Sequence, residues 1–184
     1  MKTIFSLPTD IYKNRRLIFK LAKNDFKTRY AGSYLGIVWA FVQPVVTILV
    51  YWFVFSVGFR SGTGDLGVPF VLYLVAGIVP WFFFQDALIG GTNSMLEYNY
   101  LVKKVVFNIS VLPVVKIISA LFVHCFFVLF TIIMYAAYGK FPDVYYFQLI
   151  YYSICVFILV LGLSYATSAI VIFFRDLTQI INSA

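Results

Sequence analysis

The chain has little of what soluble enzymes use. Only 11% of its 184 residues are charged, seven of them acidic, and it holds one histidine, His124, and two cysteines, Cys125 and Cys155. Two cysteines set inside apolar runs supply neither a disulfide framework nor metal-ligand spacing. The strings G-x-x-x-x-G-K-[ST], H-E-x-x-H and G-x-S-x-G do not occur, and no pair of carboxylates lies within an apolar run. Phosphate-loop chemistry, zinc proteolysis and serine hydrolysis therefore have no residues to carry them. The expectation is a chain that is not an enzyme, with no catalytic residue and no metal site; work against a gradient would draw its energy from another polypeptide. Pro8-Thr9-Asp10 interrupts the first apolar residues too early for the core of a cleavable signal peptide.

What the chain has in excess is apolar and aromatic surface. Hydrophobic residues make up 62% and aromatics 21%, against roughly 45–50% apolar in soluble domains. Four runs reach the ~20 residues needed to cross a bilayer: about 36–57, 68–89, 112–138 and 147–174. The last would be ~42 Å long as a helix, more than a hydrocarbon core of ~30 Å, so it must tilt or protrude. The fold class that follows is all-α and polytopic: four transmembrane helices behind an amino-terminal helix.

Charge distribution sets the orientation. Twelve of the 14 basic residues lie on one side: eight before the first span, Lys103, Lys104 and Lys116 around the second connection, and Arg175 after the fourth span. Only Arg60 and Lys140 fall in the other two loops. By the positive-inside rule the amino terminus is cytoplasmic. Within residues 1–32, the stretch 11–30 repeats Leu17, Ile18, Leu21, Ala22, Phe26 and Tyr30 at helical spacing. Lys13, Arg16, Lys20, Lys23 and Lys27 fall largely elsewhere on the wheel. That pattern predicts a basic amphipathic helix in the membrane interface. The net charge of +7 is then matched by anionic headgroups, and a nucleic-acid partner is not expected. Asn108-Ile109-Ser110 matches a glycosylation acceptor but falls on the cytoplasmic side.

Several polar residues sit at membrane depth. Gln43 and Pro44 lie in the first span, where a proline kink and a bond from Gln43 to a neighbouring helix are expected. His124 is central in the third span with no charged residue at its depth, which favours a neutral, hydrogen-bonded packing role over a proton relay. Gly162, Ser164, Ala166, Thr167, Ser168 and Ala169 predict close helix packing in the fourth span, and Gly32-x-x-x-Gly36 has the same spacing. "VPWFFFQD", residues 79–86, combines Pro80, four rings and Asp86. Rings stepping about 100° apart face nearly every direction. An interfacial aromatic belt with packing and a part in substrate handling both remain open for them. Asp86 is expected near the cytoplasmic end of its span.

The strings "RYAGSYLGIVWAFVQPVV", "YWFVFSVGFR", "GVPFVLYLVAGIVPWFFF", "LVKKVVFNISVLP" and "FFRDL" occur in that order. They resemble the permease subunits of ABC-2 type polysaccharide exporters, which move O-antigen, teichoic acid or capsular chains. The resemblance covers most of residues 20–180 and makes 33–184 an ABC-2 type transmembrane domain. It implies a bacterial cytoplasmic-membrane, multi-pass permease that forms a homodimer and pairs with a separate ATP-binding cassette ATPase. ATP and Mg would be bound by that ATPase and no cofactor by this chain. The family's coupling helix corresponds to 93–104, which makes Glu97, Tyr98, Leu101, Lys103 and Lys104 candidates for ATPase contact; the positive-inside rule alone accounts equally well for the two lysines. An aromatic pathway for lipid-linked polysaccharide makes Trp39, Tyr51, Trp52, Trp81 and Phe82 candidates for its wall, since C–H faces of sugars pack on rings. Asn108 stands where the family usually has proline, and Pro113 is left to set the start of the third span. Family members usually have six spans, so with four the chain is expected to be incomplete at its carboxyl end. The alternatives are an ABC-2 permease for a drug or small lipid, and a four-span membrane assembly protein without transport activity.

Overall fold

The structure is a computed structural model and describes residues 11–32, 34–59, 68–98, 109–140 and 143–183. Among the described residues it has the α-helices α1 (Arg15–Arg29), α2 (Trp39–Phe53), α3 (Phe70–Glu97), α4 (Leu112–Ala137), α5 (Phe147–Val171) and α6 (Leu177–Ser183). Short 3-10 turns lead into α2, α4 and α5, and a π turn, Val54–Gly58, extends α2. There is no strand among the described residues. Among the described residues, four continuous stretches are long and apolar enough to cross a membrane: Gly36–Gly58, Phe70–Glu97, Ile109–Ala137 and Val144–Val171. The all-α, polytopic expectation holds.

Local chemistry explains the helix boundaries. Gly32 and Gly36 take φ of +97° and +53° in the turn before α2, and a side chain there would meet nothing within 4 Å. The spacing that suggested helix packing instead serves left-handed backbone, which glycine adopts without steric cost. Gly139, at φ +78°, likewise follows α4. Asp143 caps the start of the fourth stretch by accepting the Val144 N–H at 2.7 Å. Pro44 and Pro80 both lie inside helices. α3 runs on for eight residues beyond Ile89, so Asp86 sits within the helix and Glu97 is its last residue.

The chain forms two compact units. One comprises residues 30–83 and 122–156. Its core is Ile48, Val75, Val79 and Phe127, with Phe41, Val45, Val71, Phe82, Val123 and Met134 among the residues packed around them. Val71, Val75, Val79 and Phe82 recur at three- and four-residue steps and form one face of α3. α2 buries only Ala40 and Ile48. Gln43 is therefore exposed rather than bonded into a neighbouring helix, and its carbonyl accepts the Thr47 hydroxyl at 3.1 Å.

The other unit comprises residues 1–29, 84–121 and 157–184. Its centre is the start of α4, where every residue from Val111 to Ile117 is buried. The small residues of α5 pack here as expected, but only on one side. Ser164 and Ser168 are buried, and Thr167 bonds Thr92 of α3 at 2.7 Å. Gly162, Ala166 and Ala169 are exposed. A Cβ on Gly91 would lie 2.6 Å from the Ser164 Cβ, so α3 and α5 meet at a spot that only glycine fits.

Candidate functional site

Within the second of these units, α1, α3 and α4 bring five charged side chains together. α1 buries Ile18, Ala22 and Asp25, at steps of four and three residues, so an acid ends its inward stripe. All five of the lysines and arginines predicted for its outer face, Lys13, Arg16, Lys20, Lys23 and Lys27, are exposed. Leu17, predicted inward, is exposed as well. One turn beyond Asp25, Arg29 reaches α3, where its Nη1 donates to Asp86 Oδ1 and Oδ2 at 2.7 and 2.8 Å.

Lys116 of α4 is the centre of the cluster. Its Nζ donates to Asp25 Oδ1 at 2.6 Å and to Glu97 Oε2 at 2.5 Å. The Tyr98 hydroxyl donates to the same Asp25 oxygen at 2.8 Å, and the Tyr98 ring lies 5.2 Å from Lys116 Nζ. Asp25 and Lys116 are each only 6% exposed in their side chains, whereas Glu97 is 52% and Asp86 42% exposed. Burial pushes the Asp25 carboxyl upward, but Lys116, Tyr98 and Ser119 outweigh it and hold the group below its ordinary value of 3.8. The side chains border a cavity of about 440 Å³ completed by Thr28, Ile89 and Gly90. Three carboxylates face two cations there. Lys116 of α4 bridges carboxylates of α1 and α3, and Arg29 joins α1 to Asp86 of α3, so the cluster holds the three helices together.

The arrangement involves some predicted residues and not others. Glu97 and Tyr98, predicted to contact a partner, close the cluster from the end of α3, while Leu101, Lys103 and Lys104 lie outside the described residues. Asn93, at the start of that stretch, accepts the Thr178 hydroxyl of α6 at 3.1 Å. Asp25 was missed by sequence reasoning, and Lys116 and Arg29 were read only as topogenic charge. An acid at an inward position of α1 and a lysine inside the apolar string "PVVKIIS" were the available signals. Among the aromatic candidates, Trp39, Tyr51, Trp52 and Trp81 are exposed, while Phe82 packs half-buried against the Val75–Val79–Phe127 core.

His124 sits in the other unit. Its Nε2 is 3.1 Å from the Ser153 hydroxyl, and Phe83 stacks on its ring at 4.6 Å between centroids. The cavity of about 50 Å³ beside it, which includes Pro80 and Thr131, has no charged residue in its lining. A packing histidine fits this setting, as expected.

A basic amphipathic helix, four apolar stretches long enough to cross a membrane and a charged cluster joining α1, α3 and α4 describe a polytopic membrane protein. The ABC-2 type transporter family matches residues 16–184, and the chain belongs to that family. It is 31% identical over 183 residues to the O-antigen export system permease protein RfbA of Myxococcus xanthus, covering 96% of this chain and 66% of that protein. Two O-antigen export system permease proteins RfbA of Klebsiella pneumoniae are each 25% identical over 169 residues, 90% of this chain and 63% of theirs. The chain thus spans slightly less than two thirds of the length of these relatives.

Proposed function

We propose that this chain is the permease subunit of an ATP-driven exporter that moves a lipid-linked polysaccharide, of O-antigen type, across the bacterial cytoplasmic membrane. The observation that carries the reading is the likeness over nearly the whole chain to permeases named for O-antigen export, on an ABC-2 domain. The amino terminus is cytoplasmic in this reading, because eight basic residues precede the first span. Two copies form the pathway, and each binds an ATP-binding cassette ATPase through 93–104. Trp39, Tyr51, Trp52, Trp81 and Phe82 are the aromatic surface offered to a sliding polymer, whose sugar faces pack on rings without a charged site to stall it. Four of the five are exposed in the single chain, which supports this assignment for them.

The test is affinity purification of the full-length protein from its host membrane. Recovery of an ATPase bearing a phosphate-loop motif, in equal amount and with ATP hydrolysis in the isolated complex, is the expected result. Recovery of the chain without any ATPase overturns the reading and leaves a membrane assembly protein.

A further inference from the structure

Among the described residues nothing takes up the side-chain amide of Gln43. The residue is exposed, and only its backbone carbonyl is used, by the Thr47 hydroxyl. It lies roughly 11 Å along the stretch Gly36–Gly58, counted from Gly36, which is within the hydrocarbon depth of ~30 Å when that stretch crosses a bilayer. Trp39, Gln43, Val46 and Val50 follow at steps of four, three and four residues, so they share one face of α2, and all four are exposed. Ala40 and Ile48, the buried residues of α2, lie to another side. An amide offers two N–H donors and a carbonyl acceptor, and lipid tails can pair with none of them, so exposure to lipid is costly. This face is therefore built to meet something that hydrogen-bonds.

The rest of the face narrows what that is. Helices that approach closely in a membrane do so through small residues, and the alanine of α2, Ala40, is buried on another side. Trp39 and Gln43, one turn apart, present instead a flat ring beside an uncharged donor and acceptor. That combination suits a sugar, whose C–H face lies on a ring while its hydroxyls exchange hydrogen bonds with the amide. α2 contains no lysine, arginine, aspartate or glutamate, so no charge fixes a ligand in place. We propose that Gln43 is a specificity-determining contact for the exported polymer, bonding the hydroxyls of each sugar as it passes over Trp39. The inference deepens the exporter reading and rests on it.

The test uses the full-length protein, expressed in its host in place of the native copy. All native cysteines, the exposed Cys125 and Cys155 among them, are replaced by alanine, and Gln43→Cys puts a single thiol on the face. A small water-soluble methanethiosulfonate, which reacts with a thiol only where water reaches it, is applied to membranes from cells that make the polymer and from cells blocked in its synthesis. The expected result is modification in both, slower where polymer is present. No modification, or a rate that polymer leaves unchanged, overturns the proposal. Efficient disulfide formation between two copies at this position while polymer is present also overturns it, because a second chain then covers the face. Gln43→Leu, present in the membrane at the wild-type level, should lower surface polysaccharide export about two- to tenfold, the scale of one uncharged hydrogen bond. Gln43→Asn, which keeps the amide, should export more than Gln43→Leu. Should the cysteine variant fail to accumulate, Gln43→Leu decides alone, and unchanged export there overturns the proposal while leaving the exporter reading intact. If deleting the whole gene leaves surface polysaccharide unchanged, the exporter reading fails and this contact falls with it.

Discussion

At the scale of residues, the cluster around Lys116 governs what single substitutions do. Asp25 and Lys116 are both almost fully buried, so removing either alone costs the other its buried partner. Lys116→Gln or Asp25→Asn should each destabilise the protein by about 3–5 kcal/mol, whereas the two combined should cost clearly less than the sum. Thermal unfolding of the three variants in one detergent measures this as a double-mutant cycle. The acid limb of stability follows from the same pair. Because the Asp25 carboxyl is held below its ordinary 3.8, its contribution is complete above about pH 4 and is lost as the pH falls through the depressed folded value. The wild-type melting temperature should therefore show a loss on the acid side of pH 4 that is smaller in Asp25→Asn; equal acid losses in both would contradict the assignment. None of this pairing was legible in the sequence. Asp25 and Lys116 are 91 positions apart, and Asp25 and Tyr98 are 73 apart. A basic residue near a span end obeys the positive-inside rule whether or not it has a partner, so residue type alone could not separate Lys116 from Lys103.

At the scale of elements, hydropathy carries most of the information. The four spans are readable because a bilayer demands an unbroken apolar length, and their cores fall where the runs fall. Helix ends are less readable. α3 continues through Asp86 to Glu97 because the polar residues along it find partners: Asp86 finds Arg29, Thr92 finds Thr167 and Asn93 finds Thr178. A polar residue reads as a boundary only when its partner is unknown. The small residues of α5 were readable as a packing surface, but not which of them face α3. Two neighbouring glycines on α3 test that contact. A methyl at Gly91 would lie 2.3 Å from the Ser164 hydroxyl, whereas a methyl at Gly90 would sit 3.5 Å or more from Lys116 and Arg29. Gly91→Ala should then cost about 1–3 kcal/mol through overpacking, while Gly90→Ala should be neutral or slightly stabilising through helix propensity. Unfolding midpoints of the two variants in detergent check the difference, and equal effects would mean that α3 and α5 do not approach as described.

At the scale of the whole molecule, family membership, fold class and membrane character were all legible, because each depends on long stretches rather than on contacts. The five strings in their order resemble an ABC-2 permease, and the match over residues 16–184 agrees. The cluster joining α1, α3 and α4 was not legible, since it is a product of folding. Glu97 and Tyr98 drew attention only through their place in the family's coupling stretch. Export of a lipid-linked polysaccharide, as proposed, is tested by the surface polysaccharide of a host strain from which the gene has been deleted. The expected result is cells whose envelope lacks the polymer while its lipid-linked form accumulates inside, with both effects reversed by the restored gene. A normally decorated envelope in the deletion strain would contradict it.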